Sequence, residues 1–364
     1  MTDQLDWQEI GAQVRRARMA AGLSQEQLGA KIGLDRTMIA KCELGKRKLD
    51  ALELTRLSAA LSLPIMHFLS RPPAVLSRRT AEMVDEVPTN AARDTFRLEA
   101  ELADWLRDVR LLMELGVLTP RSPVHYPDKV TDAEGARRAA RWLRTHCKVE
   151  LRPLDALVEV AEQLGQLILV TDIPGEGASV VDDDVAVAIV STHGAPARRR
   201  ATAAHEPGHM VLGDEYSSDL GVHSARDERE RLIDAFAAEF LIPGKVFAEA
   251  ELAGSAEEVR PTLIELAAKY RVSWSLVLRQ ACVASAISEQ VRGGLVARTP
   301  TRAEFMDAVG WVPQPDFESI RVPPSVAGAV TEAVHRDLIT ATRAAELTRG
   351  QIIESDFEAG GAGE

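Results

Sequence analysis

Residues 201–212 read ATAAHEPGHMVL, and this stretch decides what the chain is built around. His205 and His209 stand four apart, Glu206 follows the first histidine, and Pro207 follows the glutamate. On an α-helix, residues four apart are rotated by only about 40° and rise about 6 Å, so both imidazoles would face one way and could share a metal ion. Glu206, one step round, would lean over an open coordination position and take a proton from a water there. Pro207 works against the helix, because it removes the hydrogen bond to the Ala203 carbonyl and costs ~3 kcal/mol or a kink. A kink need not move His205 relative to His209, so the pair is expected to survive it.

Two histidines are not a full site, since a catalytic zinc takes three protein ligands and a water. The segment ERERLIDAFAAEFLIPG (228–244) offers the third. Glu230 and Asp234 lie four apart on one helical face. Glu230 would complete the ligand set, and Asp234 would hold the far ring nitrogen of one histidine and fix its tautomer. The connecting loop is long enough to reverse direction. HExxH alone is a weak signal, for which a buried hydrogen-bonded histidine pair is the default; the downstream pair is what lifts it. Tyr216 and His223, in the loop, read as ordinary loop residues first and as oxyanion stabilisers second. His67, His125, His146, His193 and His335 show no ligand spacing, and Cys147 reads as a packed thiol.

HExxH followed by ExxxD is similar to the gluzincin metallopeptidases. The fuller patterns, RATAAHEPGHMVLG (200–213) and ERLIDAFAAEFLIP (230–243), resemble the ImmA/IrrE-type subfamily. Arg200, Thr202, Ala204 and the run Phe236 to Pro243 carry that likeness, and YRVSWSLVLRQ (270–280) resembles a further family segment. Two positions depart from the pattern: Pro207 replaces an aliphatic residue, and Asp234 stands where asparagine is common. The resemblance covers roughly residues 130–285. It implies a zincin-like fold with one Zn2+ per chain on His205, His209 and Glu230, with Glu206 as the catalytic base. It implies a zinc endopeptidase whose protein substrate is a transcriptional repressor. The strand VAVAIVS (185–191), just before the helix, is expected to be the edge onto which an extended substrate adds.

The first seventy residues read differently. Trp7, Ile10, Val14 and Ala17 form a helical stripe, Ser24 and Gln27 make a capping box, Gly33 closes a helix and Asp35 caps the next. LSQEQLGAKIGLDRTMIAKCELGKRKL (23–49) resembles the XRE/Cro-type helix-turn-helix family, with SQEQL, Gly33, Ile39, Glu43 and Gly45 at family positions. That implies a double-stranded DNA operator as partner. Arg36, Thr37 and Lys41 would share the exposed face that enters a major groove. Gln25 would meet a phosphate or brace the recognition helix, and Lys46 and Arg47 would contact the backbone. Such readers usually bind paired half-sites, which is compatible with a homodimer. A protein-docking domain with solvated charges is the rival reading of this head.

Charge and composition agree. Net charge is −12 over 364 residues, yet residues 1–70 hold ten Lys plus Arg against eight Asp plus Glu, so the remainder carries −14. A slightly basic head on an acidic body suits a DNA-binding module joined to something else. No apolar run approaches the ~18 residues of a membrane helix. Three scattered cysteines and an acidic N-terminus suit a cytoplasmic protein with no membrane partner. The expected class is mainly α with a small β-sheet (α+β). The expected parts are a helix-turn-helix domain at 1–70, a helical connector at 71–130 and a metallopeptidase domain at 131–290. A helical extension at 291–356 and a disordered tail at 357–364 complete the chain. The expected function is a DNA-binding regulator with a zinc endopeptidase domain. The alternative is a non-catalytic repressor or antitoxin-like protein that uses the metal fold as a scaffold.

Overall fold

The computed structural model describes residues 5–71, 90–213, 223–250 and 252–357. Five short helices come first: α1 (Trp7–Ala20), α2 (Gln25–Ile32), α3 (Arg36–Glu43), α4 (Ala51–Leu61) and α5 (Ile65–Leu69). Local chemistry sets where they start. Asp6, Ser24, Asp35 and Asp50 each accept from amides in the first turn of α1 to α4, satisfying donors that a helix otherwise leaves orphaned. Ser24 and Gln27 form the reciprocal capping box that SQEQL predicts. The apolar stripes meet in a small core of Ile10, Val14, Leu28, Ile32, Ile39, Leu57 and Phe68.

The long helix α6 (Asn90–Glu114) is no free connector. Near its start, Phe96 packs against the head's core and Ala100 is buried in it. Arg107 donates to Ser70 Oγ at 3.3 Å, fixing the end of the head. Further along, Leu102, Trp105 and Val109 turn onto a sheet, where Trp105 Nε1 donates to the Leu167 carbonyl at 2.9 Å.

That sheet has three strands, β1 (Gln166–Thr171), β2 (Gly177–Asp182) and β3 (Val185–Ser191), in the order β1-β3-β2. β3 runs parallel to β1, from Gln166↔Ala186 to Thr171↔Ser191, and antiparallel to β2, from Gly177↔Val190 to Asp182↔Val185. VAVAIVS is therefore the central strand, not the edge expected from its place before the histidine helix. The reason lies in its composition. Val185, Val187 and Ile189 point into one core and Ala186, Ala188 and Val190 into the other. A strand apolar on both faces needs a layer above and below and a neighbour on each side. Among the described residues β2 is the outer strand on that side, and Gly177 to Val180 of it are buried. The outer side of β1 is partly closed where Val170 and Arg321 exchange backbone hydrogen bonds.

Helices cover both faces. On one side lie α7 (Ala133–His146), α8 (Leu157–Gln163), α9 (Pro196–Val211), α10 (His223–Leu241), α11 (Gly244–Glu249), α12 (Ala256–Tyr270) and α13 (Trp274–Val283). α14 (Glu289–Leu295) and α15 (Arg302–Val309) flank them. α8 starts at Leu157, and Pro153 to Ala156 lie outside it. The other face is closed by α6 together with α16 (Pro324–His335) and α17 (Ala341–Leu347). Val326, Val330 and Leu347 sit in that core beside Leu169 and Val187, so residues beyond 291 help to build the sheet's environment. Arg343 and Arg349 donate to the buried Asp108 carboxylate at 2.7 and 2.8 Å, locking α17 to α6. Among the described residues, no helix is long and apolar enough to cross a membrane.

Candidate functional site

α9 lies on the sheet and carries the two histidines. It runs from Pro196 to Val211 without interruption, with Pro207 inside it. The expected penalty is absorbed by packing: His205, Glu206, Pro207, Gly208 and His209 are all buried. Gly208 lets α10 approach, for a Cβ there would meet Ile233 and Phe236 carbons at 3.0 Å. Arg200, one and a half turns earlier, is buried and donates to the Leu154 carbonyl and to Asp316. Burial pulls its guanidinium down to about 10, while Asp316 opposes the shift. Arg271 reaches the same Asp316 at 3.0 Å, so the likeness-bearing Arg200 anchors α9 to the segment ahead of α16.

The close approach of α10 brings the third carboxylate in. His205 Nε2 and His209 Nε2 are 3.0 Å apart. Glu230 oxygens lie 3.1 Å from the first and 3.8 Å from the second. Donors bound to one zinc at about 2.0–2.2 Å sit within ~4.4 Å of each other, and all three spacings obey this. Two imidazole nitrogens and one carboxylate oxygen are also the donor types that a zinc with an open position takes. The residues present fit the ion. Behind them, Asp234 Oδ1 is 3.1 Å from His205 Nδ1, the contact that leaves Nε2 as the ligating nitrogen.

Glu206 lies against the start of β2. Its Oε1 is 3.0 Å from where a Cβ on Gly177 would sit, and the Thr202 methyl is 2.6 Å from that same point. Only a hydrogen fits there. The amide of Gln166 donates to the Glu206 backbone carbonyl at 3.4 Å. Sequence reasoning missed Gly177, Gln166 and Asp316. A glycine that opens a strand carries no motif, and Asp316 lies far from Arg200 along the chain. Tyr216 and the side chain of His223 lie outside the described residues. His125 sits beside this helix only as a packing group, with Nδ1 2.9 Å from the Met210 carbonyl.

On the head, Arg36, Thr37 and Lys41 are exposed on α3, while Ile39, Cys42 and Glu43 face inward. Lys46 is exposed just beyond. Gln25 turns its amide onto Glu43 at 2.8 Å, and Arg18 holds the same carboxylate, so Gln25 braces α2 against α3. Arg47 is drawn back onto Glu53 at 2.6 Å and is only partly exposed. The Arg47 hydrogen bond holds the Glu53 carboxyl below its ordinary range.

Residues 14–68 match the helix-turn-helix family, and residues 152–281 match the peptidase M78 family, described as an IrrE N-terminal-like domain. The chain carries a helix-turn-helix domain ahead of an IrrE N-terminal-like domain. His205, Glu206, His209, Glu230 and Asp234 all fall within the second match. The head is 33% identical over 64 residues to an uncharacterized HTH-type transcriptional regulator of Sinorhizobium medicae, covering 18% of this chain and 46% of the relative. It is 38% identical over 61 residues to an uncharacterized transcriptional regulator in the ATPase CF(0) region of Rhodospirillum rubrum, covering 17% and 56%. The chain thus spans about half the length of the curated relatives it matches. No solved structure matches it.

Proposed function

We propose that this chain is a DNA-binding transcriptional regulator whose second domain is a zinc endopeptidase acting on a repressor or other regulatory protein. The observation that carries the reading is the convergence of His205, His209 and Glu230 on one helix pair beside a buried Glu206. Bound zinc would supply a water acidified toward neutral pH and a Lewis acid for the scissile carbonyl. His205, His209 and Glu230 hold that position, and Asp234 keeps His205 in the right tautomer. Glu206 takes the water's proton and returns it to the leaving amine.

The relatives' names and the exposed Arg36, Thr37 and Lys41 support operator binding through α3, with Lys46 at the DNA backbone. Tethering the peptidase at an operator would raise the local concentration of its substrate. Replacing Glu206 with Gln tests the enzyme: zinc content should stay and cleavage should vanish. Equal cleavage by that variant removes the assignment. Arg36→Ala with Lys41→Ala should weaken operator binding by roughly 10- to 100-fold at fixed salt; unchanged affinity removes α3 as the reader.

A further inference from the structure

The two helices that carry the candidate zinc ligands meet along two rungs. Gly208 and Leu212 lie four apart at the end of α9, and Ile233 and Arg229 four apart on α10, so each pair shares a helical face. The first rung is apolar, with Ile233 and Phe236 filling the space where a side chain on Gly208 would stand. The second is polar: Arg229, half-buried, donates from Nη2 to the Leu212 carbonyl at 3.0 Å. Glu230 follows Arg229 and is turned from it by about 100°, toward His205 and His209.

Leu212 caps the C-terminus of α9 just beyond His209. Carbonyls at a helix end have no partner within the helix, and a cation there meets the negative end of its dipole. Met210, Val211 and Leu212 each find a partner elsewhere in the chain. Nδ1 of His125 lies 2.9 Å from the Met210 carbonyl, and the Tyr126 amide donates to that of Val211 at 2.7 Å. Arg229 takes the third, and its Nη1 reaches the Val130 carbonyl at 3.4 Å. Residues 125–130, which lie outside the matched 152–281, thus close round the end of α9 together with the residue beside Glu230.

We propose that Arg229 is a positioning residue for the zinc site, holding the Glu230 carboxylate at ligand distance from the two imidazoles by tying α10 to the end of α9. This rests on the zinc site of the reading above. The Gly208 contact alone lets α10 pivot over α9. A second rung one turn away removes that freedom on the side where Glu230 stands. Groups that orient metal ligands contribute roughly 10- to 100-fold in affinity, and Arg229 acts through the helix rather than on the ligand atom, so the low end, about tenfold, is expected.

The test measures the zinc affinity of the full chain by competition with a chromophoric chelator, with denaturant unfolding of the metal-free chain beside it. Arg229→Ala should raise the zinc Kd about tenfold, and Arg229→Lys, which keeps a cationic donor for the Leu212 carbonyl, should recover part of the loss. Arg141→Ala is the control. It cuts the 3.3 Å bond from α7 to Glu239 at the other end of α10, and should lower the stability of the metal-free chain while leaving the Kd unchanged. The unfolding curves show that each variant is folded when its Kd is read. An unchanged Kd in Arg229→Ala, no recovery with lysine, or an equal rise in Arg141→Ala overturns the proposal and leaves the zinc site standing. An unmutated chain that takes up no zinc overturns the zinc site and the proposal with it.

Discussion

Gly177→Ala is the sharpest single perturbation of the site, because it adds one carbon where the packing leaves none. The new Cβ would lie 2.6 Å from Thr202 Cγ2, 2.8 Å from the Ile189 carbonyl oxygen and 3.0 Å from Glu206 Oε1. Carbon contacts are comfortable at about 3.5–4.0 Å, so roughly 1 Å must be found. Ile189 cannot give it, since β3 is pinned by ladders on both sides. Thr202 and Glu206 must move. Overpacking of this kind costs about 1–3 kcal/mol of stability. A displacement near 1 Å at the base lowers turnover by about 100-fold. The three proposed zinc ligands are not among the clashing groups, so zinc content should be unchanged. Denaturant unfolding, metal analysis and cleavage of a substrate peptide read the three effects separately. Adding Thr202→Ala removes the closest clash and should recover part of both losses. A Gly177→Ala chain as stable and as active as the parent would refute the placement of Glu206 against β2.

Two other outcomes follow from buried charge. Arg349→Ala leaves the buried Asp108 with Arg343 alone and removes a cation above Trp105, so stability should fall by about 3 kcal/mol in denaturant unfolding; a loss below ~0.5 kcal/mol would mean that α17 is not locked to α6 this way. His67 lies edge-on to Phe68 and Phe96, and burial, aided by Arg107 and Arg16 against Asp104, pushes its pKa down to about 4. The unfolded chain takes up that proton near 6.5 and the folded chain only near 4, so this contribution is whole above pH 6.5 and drains away as pH falls. Between pH 7.5 and 5 it amounts to about 2 kcal/mol, and His67→Gln should flatten that part of the stability curve.

Much of this was legible in the sequence because the signals were local. The capping residues Ser24 and Asp35 act within four residues of themselves, so helix starts in the head could be read directly. The i, i+4 pairs His205/His209 and Glu230/Asp234 needed only helical periodicity, and the structure brings both faces together. What failed was non-local. VAVAIVS carries the apolarity of a doubly covered strand, but nothing in its order says which neighbours it has, and β2 took the edge instead. The helix α6 was expected as part of a connector, and its apolar stripe is irregular. It is irregular because successive parts of it serve two cores, Phe96 and Ala100 the head's and Leu102, Trp105 and Val109 the sheet's. Of the two roles open to Gln25, phosphate contact or brace, its bond to Glu43 gives the brace, and Arg47, expected at the DNA backbone, is held by Glu53.

The central claim is a three-ligand zinc site on α9 and α10, and metal content of the purified full chain tests it most directly. About one zinc per chain in the unmutated protein, lost in both His205→Ala and Glu230→Ala and kept in Glu206→Gln, is the result predicted. No zinc after loading, or zinc that survives both ligand substitutions, would contradict it.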